Sequence, residues 1–329
     1  MLRIDQQPIA QVRASLHPYL SAERPYFKDA KLEFWSFPRM YWLAHGPKDA
    51  FTLAVKGADG TLATHTVHAI SVMDFEEKRG GELLTSDRSL RYFGQTAYLR
   101  PGPFSSADPA EGEAGYRRFI DSAFADIRMQ QSQHLILDLR NNSGGHNAYS
   151  DYLIAYLADK PFRWYSRFQL KTSGLLKAHT RSHSPDTLTD AYSRAILDHK
   201  DGEVYAYELP LYPPVSAERR FNGPVYVLIN RQTYSMAAVS AALLQDYGFA
   251  TLAGEETADV PTVYASQFSF TLPKTGMVVK VPKGYMVRPN GDERLQGVVP
   301  ELKRADHLLD EDDEILAFVL EHIRRQADR

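Results

Sequence analysis

The 329-residue sequence contains no cysteine, which excludes disulfide staples and thiolate zinc sites. That absence leaves the compartment open, because exported proteins also dispense with cysteine. No run of 18 apolar residues is present, so no stretch has the length of a membrane-spanning helix. Neither sign of charge dominates: 38 Lys and Arg stand against 41 Asp and Glu, a formal net charge of −3. This excludes the broad basic footprint of a nucleic-acid-binding protein. Gly80-Gly81 lacks the lysine and the spacing of a phosphate-binding loop, and no dinucleotide fingerprint occurs. His179 and His183 are four residues apart, but no acidic residue lies between them, so no metal and no cofactor is expected. The residues after Met1 carry no leader pattern.

What is present is ordinary globular material, 43% hydrophobic and 24% charged. The length suggests two domains and a large core. The most informative stretch is Gly223–Gly254. Val225–Ile229 is a short, β-branched apolar run that predicts a buried strand. A polar turn follows, and Met236–Leu244 is small and aliphatic, predicting a closely packed helix. Ser235 stands where that turn enters the helix, beside unpaired N–H groups and the positive end of the helix dipole. Two readings of Ser235 stay open at this point: an N-cap, or a nucleophile placed where developing negative charge is best stabilised.

A second stretch, Gln133–Gly145, reads as a buried strand running into an Asn-Asn-Ser-Gly-Gly turn. Its glycines permit positive φ and close approach of backbone amides to a ligand. Taken together, LILDLRNNSGG and VLINRQTYSMAAVSAALLQDYG resemble the C-terminal-processing (tail-specific) serine peptidase family, which includes the tricorn core protease. GEET at 254–257 and GVVPE at 297–301 extend the resemblance over about residues 85–305. It implies an α/β protein with a crotonase-like spiral β/α core and places Ser235 at the nucleophile position. It also implies an oxyanion hole built from Gly144, Gly145 and the Met236 amide. Peptides or unfolded protein ends are the substrates it implies, and a periplasmic or secreted location, with the cytoplasm still open. The resemblance divides the chain into a PDZ-like module over 1–75, a linker over 76–95, a peptidase-like core over 96–307 with an insertion at 160–222, and a C-terminal helix over 308–329. Modules of the PDZ type bind peptide ends by adding a strand to a sheet edge. A family-type segment normally precedes that module, so a longer natural product is expected.

The proton acceptor departs from the family pattern. Its best-known members use a lysine about 25 residues after the serine, a position held here by Val260, and Ala238 replaces a frequent helix glutamate. Thr64-His65-Thr66 does not match the Gly-His-Thr motif that supplies the base in some relatives. His146, next to the glycine turn, is one substitute, histidine being the side chain most often used as a general base. Glu293 is another, near the place where tricorn-like members carry a supporting acid. The leading alternative, which the tricorn-like resemblance implies, is a base supplied by the segment expected upstream. The reading is a serine-type peptidase of the tricorn-like subgroup. Its alternatives are a catalytically impaired peptide-binding relative and a crotonase-like acyl-transfer enzyme.

Elsewhere, Phe51–Val55 and Thr61–Ile70 predict an antiparallel hairpin. Tyr116, Phe119, Ile120, Ala123, Phe124 and Ile127 recur at helical spacing. The segment 160–222 reads as a helical insertion, Gln267–Leu272 and Gly276–Val281 as strands, and Leu308–Ile323 as a helix.

Overall fold

The structure is a computed structural model and describes residues 1–57, 59–82, 87–106, 112–183, 190–307 and 312–327. In the N-terminal unit, β1 (Arg3–Ile4) and β2 (Gln7–Pro8) lead into α1 (Ile9–Leu16), α2 (Pro25–Lys31) and α3 (Phe37–His45). Then β3 (Ala50–Lys56) and β4 (Leu62–His68) form the expected hairpin, and α4 (Val72–Glu82) follows. The sheet order is β2-β1-β3-β4. Ile4, Val12, Leu16, Leu20, Leu32 and Tyr41 make its small core.

The second sheet carries the site. β5 (Ser89–Phe93) pairs antiparallel with β6 (Thr96–Arg100); α5 (Gly112–Met129) then leads to β7 (His134–Asp138) and α6 (Asn147–Ile154). The chain next forms β8 (Arg167–Lys171), α7 (Gly174–His183), α8 (Ala191–Asp198) and β9 (Val204–Ala206). β10 (Val225–Ile229), α9 (Met236–Asp246) and β11 (Thr251–Gly254) follow, then β12 (Val263–Thr271), β13 (Val278–Val287), β14 (Leu302–Lys303) and α10 (Glu314–Ala327). The sheet runs β14-β11-β10-β7-β6-β5, parallel throughout except for β5. Leu135, Leu137 and Val227 belong to the core that α5, α6 and α9 complete, including Tyr116, Ile120 and Phe124. Ile136, Tyr226 and Leu228 pack with Ile315, Val319 and Ile323 of α10. With helices on both faces, every residue of β10 is buried, hence its uninterrupted apolar run.

Two boundaries differ from the sequence reading. The expected linker at 76–95 starts inside α4 and takes in the whole of β5; its Leu83 and Leu84 lie outside the described residues. α4 is largely exposed along its first residues and charge-rich, so its sequence lacks the apolar stripe that marks a packed helix. The insertion at 160–222 is not simply helical: β8 and β9 extend the β12–β13 hairpin into a third sheet, ordered β12-β13-β8-β9. That pairing is non-local. Gly284 of β13 sits so close to Phe168 of β8 that a Cβ there would stand 2.4 Å from the ring. The final helix begins at Glu314, and 308–311 lie outside the described residues.

Candidate active site

Because β7 and β10 are parallel neighbours, the turns that follow them leave the same sheet edge side by side. Asparagines join the two. Asn230 Nδ2 donates to Asn141 Oδ1 at 2.7 Å, and Asn230 Oδ1 accepts from the Asn141 and Gln232 amides. Thr233 Oγ1 donates to the Leu139 carbonyl at 2.9 Å. The Tyr234 amide donates to the Asn142 carbonyl, bringing the second turn onto the first just before Ser235.

Ser235 has φ 51° and ψ −126° and makes no side-chain capping bond to α9. A residue with a Cβ in such a conformation carries a cost of about 1–3 kcal/mol that the surroundings must hold in place. A simple N-cap has extended backbone angles and a hydroxyl bonded to the helix; Ser235 shows neither. A strained residue between a strand and a helix is the backbone arrangement found in nucleophile elbows.

Asn142 shapes the glycine turn, donating through Nδ2 to the Gly102 carbonyl at 2.7 Å and accepting the Gly144 N–H through Oδ1 at 2.9 Å. Gly144 (φ 79°) has no room for a side chain: a Cβ would stand 2.6 Å from the Met236 nitrogen and 2.7 Å from the Tyr234 oxygen. At Gly145 (φ 138°) it would stand 2.0 Å from the Phe104 oxygen. Since the Gly144 N–H is taken by Asn142, this glycine serves the site through close approach and not through its amide. The Gly145 and Met236 amides, by contrast, meet no acceptor among the described residues.

The two expected proton acceptors lie differently. His146 caps α6, its Nδ1 accepting the Ala148 N–H at 3.2 Å, which places the ring proton on Nε2. Glu293 pairs with Arg167 at 2.8 Å, both side chains about half exposed. Neither is hydrogen-bonded to the Ser235 hydroxyl. Val260, in the lysine's place, is buried at 2% exposure. His179 and His183 stack on each other at 4.0 Å. Among the described residues, a grouping with metal-ligand spacing occurs at Asp306, His307 and Glu314, where His307 Nε2 already meets Glu314 at 3.0 Å.

One residue at the site escaped sequence reasoning. Asp259 Oδ2 accepts the Ser235 N–H at 2.6 Å and Oδ1 accepts the Val260 N–H at 3.0 Å. Burial pushes its carboxyl up to about 6, against the two amides that favour the charged form. Helix α2 covers this corner. Phe27 packs on Tyr234 with ring centroids 5.3 Å apart. Arg24 donates to Glu256 at 2.6 Å and to the Thr257 and Ala258 carbonyls. Gln232 Nε2 donates to the Ala30 carbonyl at 2.9 Å. The GEET and GVVPE segments also meet: Glu256 accepts the Gly297 amide, and a Cβ on Gly297 would lie 1.8 Å from the Thr257 oxygen.

The sequence model of peptidase family S41 matches residues 95–304. Among solved structures, mature CPAF aligns with a TM-score of 0.63 at 17% identity, covering 92% of this chain and 71% of CPAF. CPAF complexed with lactacystin aligns at 0.65 and 18% identity, covering 92% and 72%. A photosystem II D1 C-terminal processing protease matches at 0.43 and 18% identity, over 86% of this chain and 62% of its own. At these identities the likeness to CPAF is one of fold.

Proposed function

Given that the chain belongs to peptidase family S41, we propose that it is a serine-type peptidase acting on peptides or unfolded protein ends, with Ser235 as nucleophile. The observation that carries this reading is the conformation of Ser235: positive φ, a hydroxyl left uncapped, and a glycine turn pressed against it. The Ser235 hydroxyl attacks the scissile carbonyl carbon, its proton passes to a base, and the carbonyl oxygen becomes an oxyanion. The Gly145 and Met236 amides are the donors for that oxyanion, each such donor contributing about 100–1000-fold in rate. His146 is the proposed base; to act, its ring must release the Ala148 amide so that a nitrogen lone pair faces the site. Collapse of the tetrahedral intermediate then expels the amine, and water hydrolyses the acyl-enzyme.

The N-terminal unit is proposed as a PDZ-like peptide-binding module. Support comes from β4, which stands at the end of its sheet order, and from an apolar cavity of about 590 Å³ lined by Phe37, Tyr41, Trp42, Phe51, Val67 and Phe75. A second reading, a peptide-binding relative with impaired chemistry, draws on the buried Val260 and the occupied ring of His146. Turnover of an unstructured protein by the wild type and its Ser235→Ala variant separates the two. Cleavage lost in the variant supports the peptidase. Binding without cleavage in both supports the second reading.

A further inference from the structure

Asp259 is 7% exposed, and both of its oxygens accept backbone amides, one of them from Ser235. A buried carboxylate that satisfies no cation directly is costly to keep, yet this one bonds the single residue whose conformation the chemistry depends on. The Ser235 amide needs such an acceptor. Lying at the mouth of α9, it has no partner in the helix, and a charged acceptor makes the stronger bond.

The wall over this carboxylate comes from the far end of the chain. Lys31, the last residue of α2, bears on Asp259 electrostatically and offsets part of its charge; Glu23 acts in the opposite sense. Lys31 is itself held by the Ser21 carbonyl at 2.5 Å and lies 4.2 Å from the Phe27 ring centroid. Tyr234 also faces the carboxylate. Through Phe27 on Tyr234, Arg24 on the Thr257 and Ala258 carbonyls, and the Ala30 carbonyl on Gln232, α2 touches both sides of the hydrogen bond between Asp259 and Ser235.

We propose that Asp259 is a positioning residue that holds the Ser235 backbone in its reactive conformation, and that α2 of the N-terminal unit braces this tether, coupling the seating of that unit to the reactivity of Ser235. The coupling to reactivity rests on the serine-peptidase reading; the tether itself does not. Removing α2 from the corner exposes the carboxylate to water, weakens its bond to the amide, and lets Ser235 relax toward ordinary backbone angles. The device makes nucleophile geometry depend on an element more than 200 residues away in sequence.

The test reads the Ser235 amide directly. In the wild type its nitrogen chemical shift should titrate with the carboxylate between pH 5 and 8, with a midpoint near 6. Asp259→Asn should abolish that titration and speed hydrogen exchange at Ser235 by about tenfold or more, while Phe27→Ala should speed it to a lesser degree. Asp259→Glu should restore part of the protection. Fluorophosphonate labelling adds the functional arm: at pH 8 the Asp259→Asn rate should fall about tenfold or more below the wild-type rate, with Phe27→Ala between the two. A wild-type amide shift unmoved from pH 5 to 8, or exchange at Ser235 unchanged in both Phe27→Ala and Asp259→Asn, overturns the proposal. Should Asp259→Asn fail to fold, the wild-type titration and Phe27→Ala decide it. A titrating, protected amide on a serine that never labels upholds the tether and sinks the peptidase reading instead.

Discussion

Gly144 and Ser235 lie in contact across two turns: a Cβ built on the glycine would stand 2.9 Å from the Cβ of the serine. The gap is closed by backbone on the other side, where the Tyr234 oxygen and Met236 nitrogen leave no slack. Gly144→Ala therefore displaces the nucleophile turn. Adding left-handed strain to this clash, the substitution is expected to lower stability by about 1–3 kcal/mol. Serine labelling is expected to fall at least 100-fold, the scale of losing an oxyanion donor. Thermal unfolding and labelling kinetics on the same sample check both figures.

His146 caps α6 and is the proposed base, and alanine removes the side chain both depend on. Loss of the cap on α6 should cost about 1 kcal/mol, measured by denaturant unfolding. If the ring is also the base, His146→Ala slows turnover by about 100-fold or more, whereas His146→Asn keeps a cap and loses the same rate. A variant that loses stability and keeps its rate removes His146 from the chemistry.

Asp151 on α6 is buried, with Asn147 Nδ2 at 3.1 Å from Oδ2 and no partner for Oδ1. Burial pushes its carboxyl up to about 6 from 3.8, with hydrogen bonds from Asn147 and Trp164 opposing. The folded chain thus holds this proton more tightly than the unfolded chain, so ionisation costs stability, fully above pH 6 and progressively less as pH falls toward 4. Asp151→Asn is expected to raise stability by about 2–3 kcal/mol at pH 8, a gain that shrinks at pH 4–5. Melting curves of both proteins across this range report the difference directly.

Arg140 links the second core to the sheet. It donates to Asp138 at 2.9 Å and to both oxygens of Asp313, whose Oδ1 also accepts the Leu316 amide of α10. Tyr98 completes the shell around Asp138, which is 2% exposed. Arg140→Ala leaves that buried carboxylate with only the more distant Arg100 guanidinium, 3.6 Å away, an expected loss of about 3 kcal/mol. Calorimetry should show it, together with faster hydrogen exchange in α10.

What the sequence revealed followed from local pattern. Leu135–Leu137 and Val225–Ile229 were readable because both faces of their sheet are covered, so apolar positions follow one another without a polar break. Gly144-Gly145 were readable because close approach and positive φ leave a residue-type signature in a turn; the positive φ of Ser235 was not, since serine carries no such signature. Asp259 was not, since one aspartate in GEETADV has no spacing that marks it; its meaning comes from the Ser235 amide 24 residues earlier. β8 was missed because its strand partner lies in β13, with Gly284 set against Phe168, and β9 because it pairs only onto β8. α2 is too short and too mixed to stand out, and its value lies in Phe27 and Arg24 meeting Tyr234 and the 256–258 carbonyls.

The central claim is that Ser235 is an activated nucleophile. Reaction with a fluorophosphonate probe, followed by peptide mapping of the adduct, tests it most directly. One adduct per chain is expected, on Ser235, absent from Ser235→Ala and lost on heat denaturation. A folded protein that remains unmodified, or is modified equally in Ser235→Ala, contradicts it.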